Sequence, residues 1–341
     1  MYYAKVIVLL VFGFILLIKS SDVFVDAVSS IAANFKMSKM MIALTVAAFG
    51  TCAPELAISF NSISSGSGDI ALANVLGSNI VNILLVIGLA AFVSPIKVKS
   101  EVIKKEMPIL LIITSMFVLS ITSHYMGITD KSLILSRQDA VFFLCFFAMF
   151  MFYIVSVVKT KQGVLEKATA KYSMKKSIIY AIICCVLIVI ASDLVVDNAK
   201  ELARLLNVST KIITMTVVVI GTSLPEMTMT VIAAKKGEFD IALGNIIGTN
   251  IFNIGIVLGL PLLIYGGFKS ISFNLIDVLF VHIAAYVLYF FSKNDKVLTK
   301  IEGAMMICIF LIYYLYLFIY WYLRPITWSF LFENYTYFLY N

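Results

Sequence analysis

The sequence repeatedly presents apolar runs close to the roughly 20 residues that a helix needs to cross a hydrocarbon core, from Val6–Ile18 and its neighbours at one end to Ala304–Leu323 at the other. Hydrophobic residues make up 62% of the 341 and charged residues 13%, against about 45–50% and 25% in soluble globular chains, so the polar groups are too few to cover a water-facing surface. The expected fold class is all-α, a polytopic membrane protein embedded in a lipid bilayer.

Polar or glycine-containing connections divide these runs into ten expected transmembrane helices near 3–19, 38–63, 69–93, 108–124, 139–158, 175–195, 209–234, 240–265, 273–292 and 302–323. An aromatic tail, Trp328 to Tyr340, follows them, and no soluble domain fits between them. Connections 1–2, 3–4, 5–6, 7–8 and 9–10 hold 3, 4, 6, 2 and 3 Lys or Arg, which is 18 of the 26, and the opposite side holds the other 8. Cytoplasmic loops carry the basic excess, so this split puts both termini outside. The net charge of +7 then reflects topology rather than a nucleic-acid surface. Cys52, Cys145, Cys184, Cys185 and Cys308 lie inside apolar runs without metal spacing and support neither a disulfide framework nor a zinc site. The first run ends in Lys19-Ser20-Ser21-Asp22 with no basic n-region or cleavage motif, and reads as a retained helix.

The chain matches itself at a fixed offset of 171 residues. Gly50, Thr51, Pro54 and Glu55 match Gly221, Thr222, Pro225 and Glu226; Asn74, Gly77, Asn79, Ile80, Asn82 and Ile83 match Asn245, Gly248, Asn250, Ile251, Asn253 and Ile254. Across 50–89 against 221–260 there are 18 identities in 40, concentrated in Gly, Pro, Glu, Asn and Asp rather than in the apolar residues that chance would supply. Duplication explains this pattern. Five helices per half is an odd number, so the second copy enters the membrane from the opposite side, which makes two inverted five-helix repeats. The expected organisation is a first repeat over 1–160, a cytoplasmic linker over 161–171, a second repeat over 172–323 and the tail over 324–341. Inverted repeats of this kind place substrate sites near the bilayer midplane, between interrupted helices of both halves.

Glu55 and Glu226 carry the chemistry, because a carboxylate at that depth persists where it faces a cavity or a partner. Each follows Gly and Pro, which free local carbonyls, and each stands four residues after a threonine, Thr51 or Thr222, so hydroxyl, carboxylate and carbonyl can converge. Ser78 with Asn82, and Thr249 with Asn253, add neutral oxygens at helical spacing. Two carboxylates among neutral oxygens suit a hard divalent cation such as Ca²⁺. The plainer readings are interhelical hydrogen bonds for the Asn, Ser and Thr, a protonated carboxyl for each Glu, helix N-caps for Asp69 and Asp240, and solvated interfacial charge for Asp22, Asp26, Asp193 and Asp197. His124 and His282 have no repeat partner and no assigned role.

The paired segments Gly-Thr-Cys-Ala-Pro-Glu and Gly-Thr-Ser-Leu-Pro-Glu, each followed by Asn-x-x-Gly-[Ser/Thr]-Asn-x-x-Asn, resemble the α-repeats of the cation/Ca²⁺ exchanger superfamily, most closely the prokaryotic sodium/calcium exchangers. The resemblance covers essentially the whole chain. It implies ion coordination by Thr51, Glu55, Ser78, Asn82, Thr222, Glu226, Thr249 and Asn253, with backbone carbonyls near Ala48 and Val219 completing sodium positions. Cys52 departs from the serine usual in the first motif, and Asn253 from the aspartate of several relatives. The implied activity is Na⁺/Ca²⁺ antiport by alternating access in a prokaryotic cytoplasmic membrane, with Ca²⁺ and Na⁺ as transported ions, no cofactor, no enzymatic step and no required protein or nucleic-acid partner. Ca²⁺/H⁺ exchange and a cation channel are the rivals. An intramembrane protease would need aspartates rather than glutamates, and has no reason to repeat amide ligands around them.

Overall fold

The computed structural model describes residues 2–35, 37–66, 68–127, 133–160, 170–205, 219–270, 275–317 and 319. The expectations for 209–218, for 161–169 of the linker and for the aromatic tail lie outside them. The described chain is helical: α1 (Tyr2–Phe35), α2 (Lys39–Thr51), α3 (Ala53–Ser64), α4 (Gly68–Val93), α5 (Glu106–Gly127), α6 (Arg137–Thr160), α7 (Met174–Leu205), α8 (Val219–Thr222), α9 (Leu224–Lys235), α10 (Phe239–Tyr265), α11 (Leu275–Asn294) and α12 (Lys300–Leu317). Among the described residues seven helices are long and apolar enough to cross a membrane, or eight if α2 and α3, bent by 50° at their junction, count as one broken span.

The all-α expectation needs one small correction. Two antiparallel pairings join the connections: β1 (Ile96–Lys97) with β4 (Val297–Leu298), and β2 (Leu133–Leu135) with β3 (Phe268–Ser270). Extended backbone at a helix end leaves N–H and C=O groups that must pair, and here each connection pairs with one from the other half.

Helices α4 and α10 form the centre. Their apolar windows are 78% and 83% buried, against 22–39% for the other candidate spans, as befits helices that are apolar all round with small residues for close contact. Around them, α3 packs on α4, α9 on α10, α5 on α11, and α6 on the end of α10, while α1 and α7 lie along one another. Glu106 and Asp277, exactly one repeat offset apart, open α5 and α11 and accept from Tyr153 (2.7 Å) and Tyr313 (3.3 Å) on the helix that follows each.

The first and sixth helices run past their expected ends near 19 and 195. The 34 residues of α1 span about 51 Å at 1.5 Å per residue, well beyond a hydrocarbon core of about 30 Å. The polar cluster that looked like a helix end lies inside α1, with Ser20 and Ser21 buried. Asp22 and Asp26 are not simply solvated. Lys236 reaches both, at 3.0 and 2.6 Å, and Lys171 reaches Asp26 at 2.6 Å. The Asp26 carboxylate accepts from the Lys171 ammonium and holds it above its ordinary pKa. Asp240 is not an N-cap either: it lies in the first turn of α10 and binds Lys99 at 2.7 Å. Lys39 binds Glu238 at 2.6 Å. Partly exposed pairs of this sort add only about 0–1 kcal/mol each, but they tie four basic connections together, and the β1–β4 pairing adds the fifth.

Directly paired residues on antiparallel strands have Cα atoms about 4.5–5.5 Å apart, within disulfide range. In a background without native cysteines, Lys97→Cys with Val297→Cys is expected to cross-link on mild oxidation. The two halves, separated at an inserted protease site between them, should then stay joined on a gel until reduced.

Candidate functional site

The helix breaks build the site. Cys52 (φ −76°, ψ −1°) separates α2 from α3, and Ser223 (φ −90°, ψ 10°) separates α8 from α9. Each break falls one residue after the motif threonine, and Pro54 and Pro225 become the second residue of the next helix, where a missing N–H costs little. The carbonyls that these prolines leave free belong to Gly50 and Gly221. They do not point into the cluster of motif oxygens, as the sequence suggested. Cys185 Sγ donates to Gly50 O at 3.2 Å and Ser192 Oγ to Gly221 O at 3.1 Å, both from α7. Nor are these glycines in a left-handed conformation, since the positive-φ glycines described are Gly66, Gly237 and Gly266. Their role is close approach to α7: a Cβ on Gly50 would lie 2.8 Å from Cys185 Sγ, and one on Gly221 would collide with Val196.

Beyond each break a glutamate turns inward. Glu55 and Glu226 are both fully buried and lie within electrostatic reach of one another. Thr51, Ser78, Asn82, Thr249 and Asn253 are buried as well, and contacts across the halves join Thr51 to Asn245, Asn82 to Asn250 and Asn253 to Asn79. Thr222 is half-buried at the end of α8, Ala48 is buried, and Val219 contributes its backbone at the start of α8. The Ala48 carbonyl accepts from Cys52 N at 3.1 Å and, together with Ala47 O, from the Thr51 hydroxyl at 3.3 Å. With its proton so engaged, Thr51 Oγ1 keeps lone pairs to offer.

One observation sets this cluster apart. Both carboxylate oxygens of Glu55, both of Glu226, Ser78 Oγ, Thr249 Oγ1, Asn82 Oδ1 and Asn253 Oδ1 are buried and have no hydrogen-bond partner. Buried polar atoms are nearly always paired, because an unpaired one costs about 1–3 kcal/mol, and more when charged. These eight oxygens, four from each half, are of the kind and number that Ca²⁺ accepts. Among the described residues no three His, Cys, Asp or Glu gather as a metal-holding group, and the charged members of this oxygen set are two carboxylates.

The backbone helps to aim these groups. Asn82 and Asn253 lie in π-helical turns, Val81–Val86 and Asn253–Leu258, a widening common at functional sites. Gly248 lets α10 come close to α2: a Cβ there would sit 2.7 Å from Leu44 O. Asn74 Nδ2 donates to Glu55 O (3.0 Å) and Ser59 Oγ (3.2 Å), and Asn245 Nδ2 to Thr230 Oγ1 (3.3 Å), so each motif's first asparagine fastens the glutamate helix to the asparagine helix.

Several participants were not singled out from the sequence. Ser223, with a buried unpaired hydroxyl, stands at the repeat position of Cys52, so the hydroxyl missing from one half is present in the other. Cys185 and Ser192 sit in an apolar helix outside the motif, with no signal beyond their polarity. Asn79 and Asn250 were visible as repeat identities, and their contacts with Asn82 and Asn253 cross between the halves.

Comparison with known proteins agrees with this geometry. Residues 5–156 and 176–319 match the family described as sodium/calcium exchanger protein. The inner membrane protein YrbG of Escherichia coli is 37% identical over 268 residues, 76% of this chain and 80% of that protein. The sodium/calcium exchanger MaX1 of Methanosarcina acetivorans is 29% identical over 343 residues, 91% of this chain and 97% of its own length. A solved structure of the sodium-calcium exchanger NCX_Mj superposes with a TM-score of 0.76 at 30% identity, covering 91% of this chain and 98% of that one.

Backbone cannot yield as a flexible side chain does, so Gly248→Ala is expected to force α10 away from α2 and cost about 1–3 kcal/mol. A lowered thermal unfolding midpoint in detergent, relative to wild type, checks this.

Proposed function

We propose, from the premise that this chain belongs to the sodium/calcium exchanger protein family, that it is a secondary active antiporter exchanging Na⁺ for Ca²⁺ by alternating access. The observation that carries the reading is the shell of buried, unpaired oxygens around Glu55 and Glu226. Two ionised carboxylates in a buried interior, without a cation, pay both desolvation and mutual repulsion. One Ca²⁺ balances both charges. Thr51, Glu55, Ser78 and Asn82 from the first half and Thr222, Glu226, Thr249 and Asn253 from the second are the proposed ligands, with the Ala48 and Val219 carbonyls at sodium positions. Several Na⁺ using overlapping ligands would displace Ca²⁺, and movement of α1 and α7 against the rest would switch the open side.

The proposed architecture is ten transmembrane helices in two inverted repeats, over 1–160 and 172–323, joined by a cytoplasmic linker, with both termini outside a prokaryotic inner membrane. What supports it is that connections 1–2, 3–4, 5–6 and 7–8, which carry much of the basic excess, are tied together by ion pairs, and that 3–4 meets 9–10 through β1 and β4. The likeness to NCX_Mj over 98% of that chain supports it as well.

In proteoliposomes, ⁴⁵Ca²⁺ uptake is expected to require an opposing Na⁺ gradient; uptake driven equally well by a proton gradient alone would assign Ca²⁺/H⁺ exchange instead. Glu55→Gln and Glu226→Gln keep the shape and remove half the charge, and each should lower exchange by at least about a hundredfold while leaving folded protein in the membrane. Wild-type exchange in either variant would refute the site.

A further inference from the structure

Asn79 and Asn250 are repeat-equivalent, fully buried, and stand three residues before Asn82 and Asn253. Their contacts run crosswise between the halves. Asn250 Nδ2 donates to Asn79 O at 3.2 Å, and Asn79 Nδ2 to Asn250 O at 3.5 Å. A backbone carbonyl can only accept, so each of these amides has to turn its NH₂ toward the other's backbone and its Oδ1 away. Those two oxygens then take the NH₂ groups of the next pair. Asn82 Nδ2 donates to Asn250 Oδ1 at 3.2 Å, and Asn253 Nδ2 to Asn79 Oδ1 at 2.9 Å. What is left of each outer amide is one oxygen, Asn82 Oδ1 or Asn253 Oδ1, buried and without a hydrogen-bond partner.

Oxygen and NH₂ occupy nearly the same volume in an amide, so packing alone does not choose between them; the hydrogen bonds do. The difference is large for a cation, which one end attracts and the other repels. We infer that Asn79 and Asn250 are positioning residues: each holds the amide of the opposite half, Asn253 or Asn82, with its oxygen rather than its NH₂ toward the transported ion. The inference rests on the proposed reading of Asn82 and Asn253 as ligands. It deepens that reading by making each ligand amide depend on a residue across the repeat boundary, since the two backbone carbonyls at the centre set the polarity of the whole chain of four.

The test is ⁴⁵Ca²⁺ exchange by reconstituted variants, reading the half-saturating Ca²⁺ concentration separately from the maximal rate. Asn82→Ala and Asn253→Ala should each raise the half-saturating concentration; if neither does, the ligand reading fails, whatever Asn79 and Asn250 do. Given that rise, Asn79→Leu and Asn250→Leu should each raise it by about tenfold, the size of one weakened ligand, with maximal rates within about twofold of wild type. The combinations are decisive. Asn79→Leu should add little to Asn253→Ala but multiply with Asn82→Ala, and Asn250→Leu should show the reverse pattern. Asn79→Asp keeps an acceptor facing Asn253 but gives up the donor to Asn250 O, so it should raise the half-saturating concentration by clearly less than about tenfold, and it supplies the readout where a leucine variant does not fold. Leucine variants that multiply equally with both ligand variants would overturn the inference, as would a rise of about tenfold or more in Asn79→Asp.

Discussion

Glu55 and Glu226 face the same buried interior with four unpaired carboxylate oxygens, and removing two like charges from water without partners costs several kcal/mol apiece. On the proposed reading a cation shares that interior and offsets the cost. The surrounding amides respond to this constraint by keeping their oxygens unpaired while their protons are spent elsewhere. Thr51 gives its proton to its own helix, and Asn82 and Asn253 give theirs to asparagines of the opposite half. The amide donors are thus withheld from the carboxylates, which disfavours anions and leaves oxygens suited to cations.

An oxygen shell at this depth also needs helices that stop and restart, because an unbroken helix offers the interior only one narrow face. Each break is placed by a proline and leaves a carbonyl that cannot remain unpaired in lipid-like surroundings. Both of those carbonyls bond to the same helix, α7, through Cys185 and Ser192, seven residues or about two turns apart and so on one face. Any displacement of α7 relative to the core must therefore break or remake bonds at both helix breaks, each only a few residues from a site glutamate. Gly50 and Gly221 allow the close contact that makes those bonds short. Movement at the side of the bundle and occupancy at its centre are linked by this geometry.

Much of the fold was legible because duplication writes the same polar pattern twice into an apolar sequence, and coincidence does not repeat Gly, Pro, Glu and Asn at one offset. The helix runs and the inward-facing glutamates followed from that pattern, and seven of the eight side chains it nominated are fully buried, with Thr222 half-buried. The rest depended on contacts between distant segments. Asp22 and Asp26 looked like the end of a helix, since charge usually marks an interface. They sit within α1 because Lys171 and Lys236, at sequence separations beyond 140 residues, come to meet them. The freed carbonyls were correctly located but given the wrong destination, because nothing in an apolar run announces that Cys185 or Ser192 will face a particular glycine. The two β pairings were invisible for a similar reason: two or three residues carry no periodicity, and the partner lies in the other half.

The four asparagines show how a near-symmetric site can fix which end of each amide faces outward. Because the Asn79 and Asn250 carbonyls face each other's side chains, polarity runs outward from the centre, and each outer residue is required to donate inward and accept outward. An amide meets both requirements. A carboxylate at 253 meets only the second, since it has no proton to offer Asn79 Oδ1; either it takes up a proton, or Asn79 turns over and withdraws its NH₂ from Asn250 O. The residue at 253 is therefore not an independent ligand choice. Changing it from amide to acid alters the charge presented to the ion and, through Asn79 and Asn250, the footing of Asn82 on the far side. The two halves are coupled through this hydrogen-bonded centre before any ion binds.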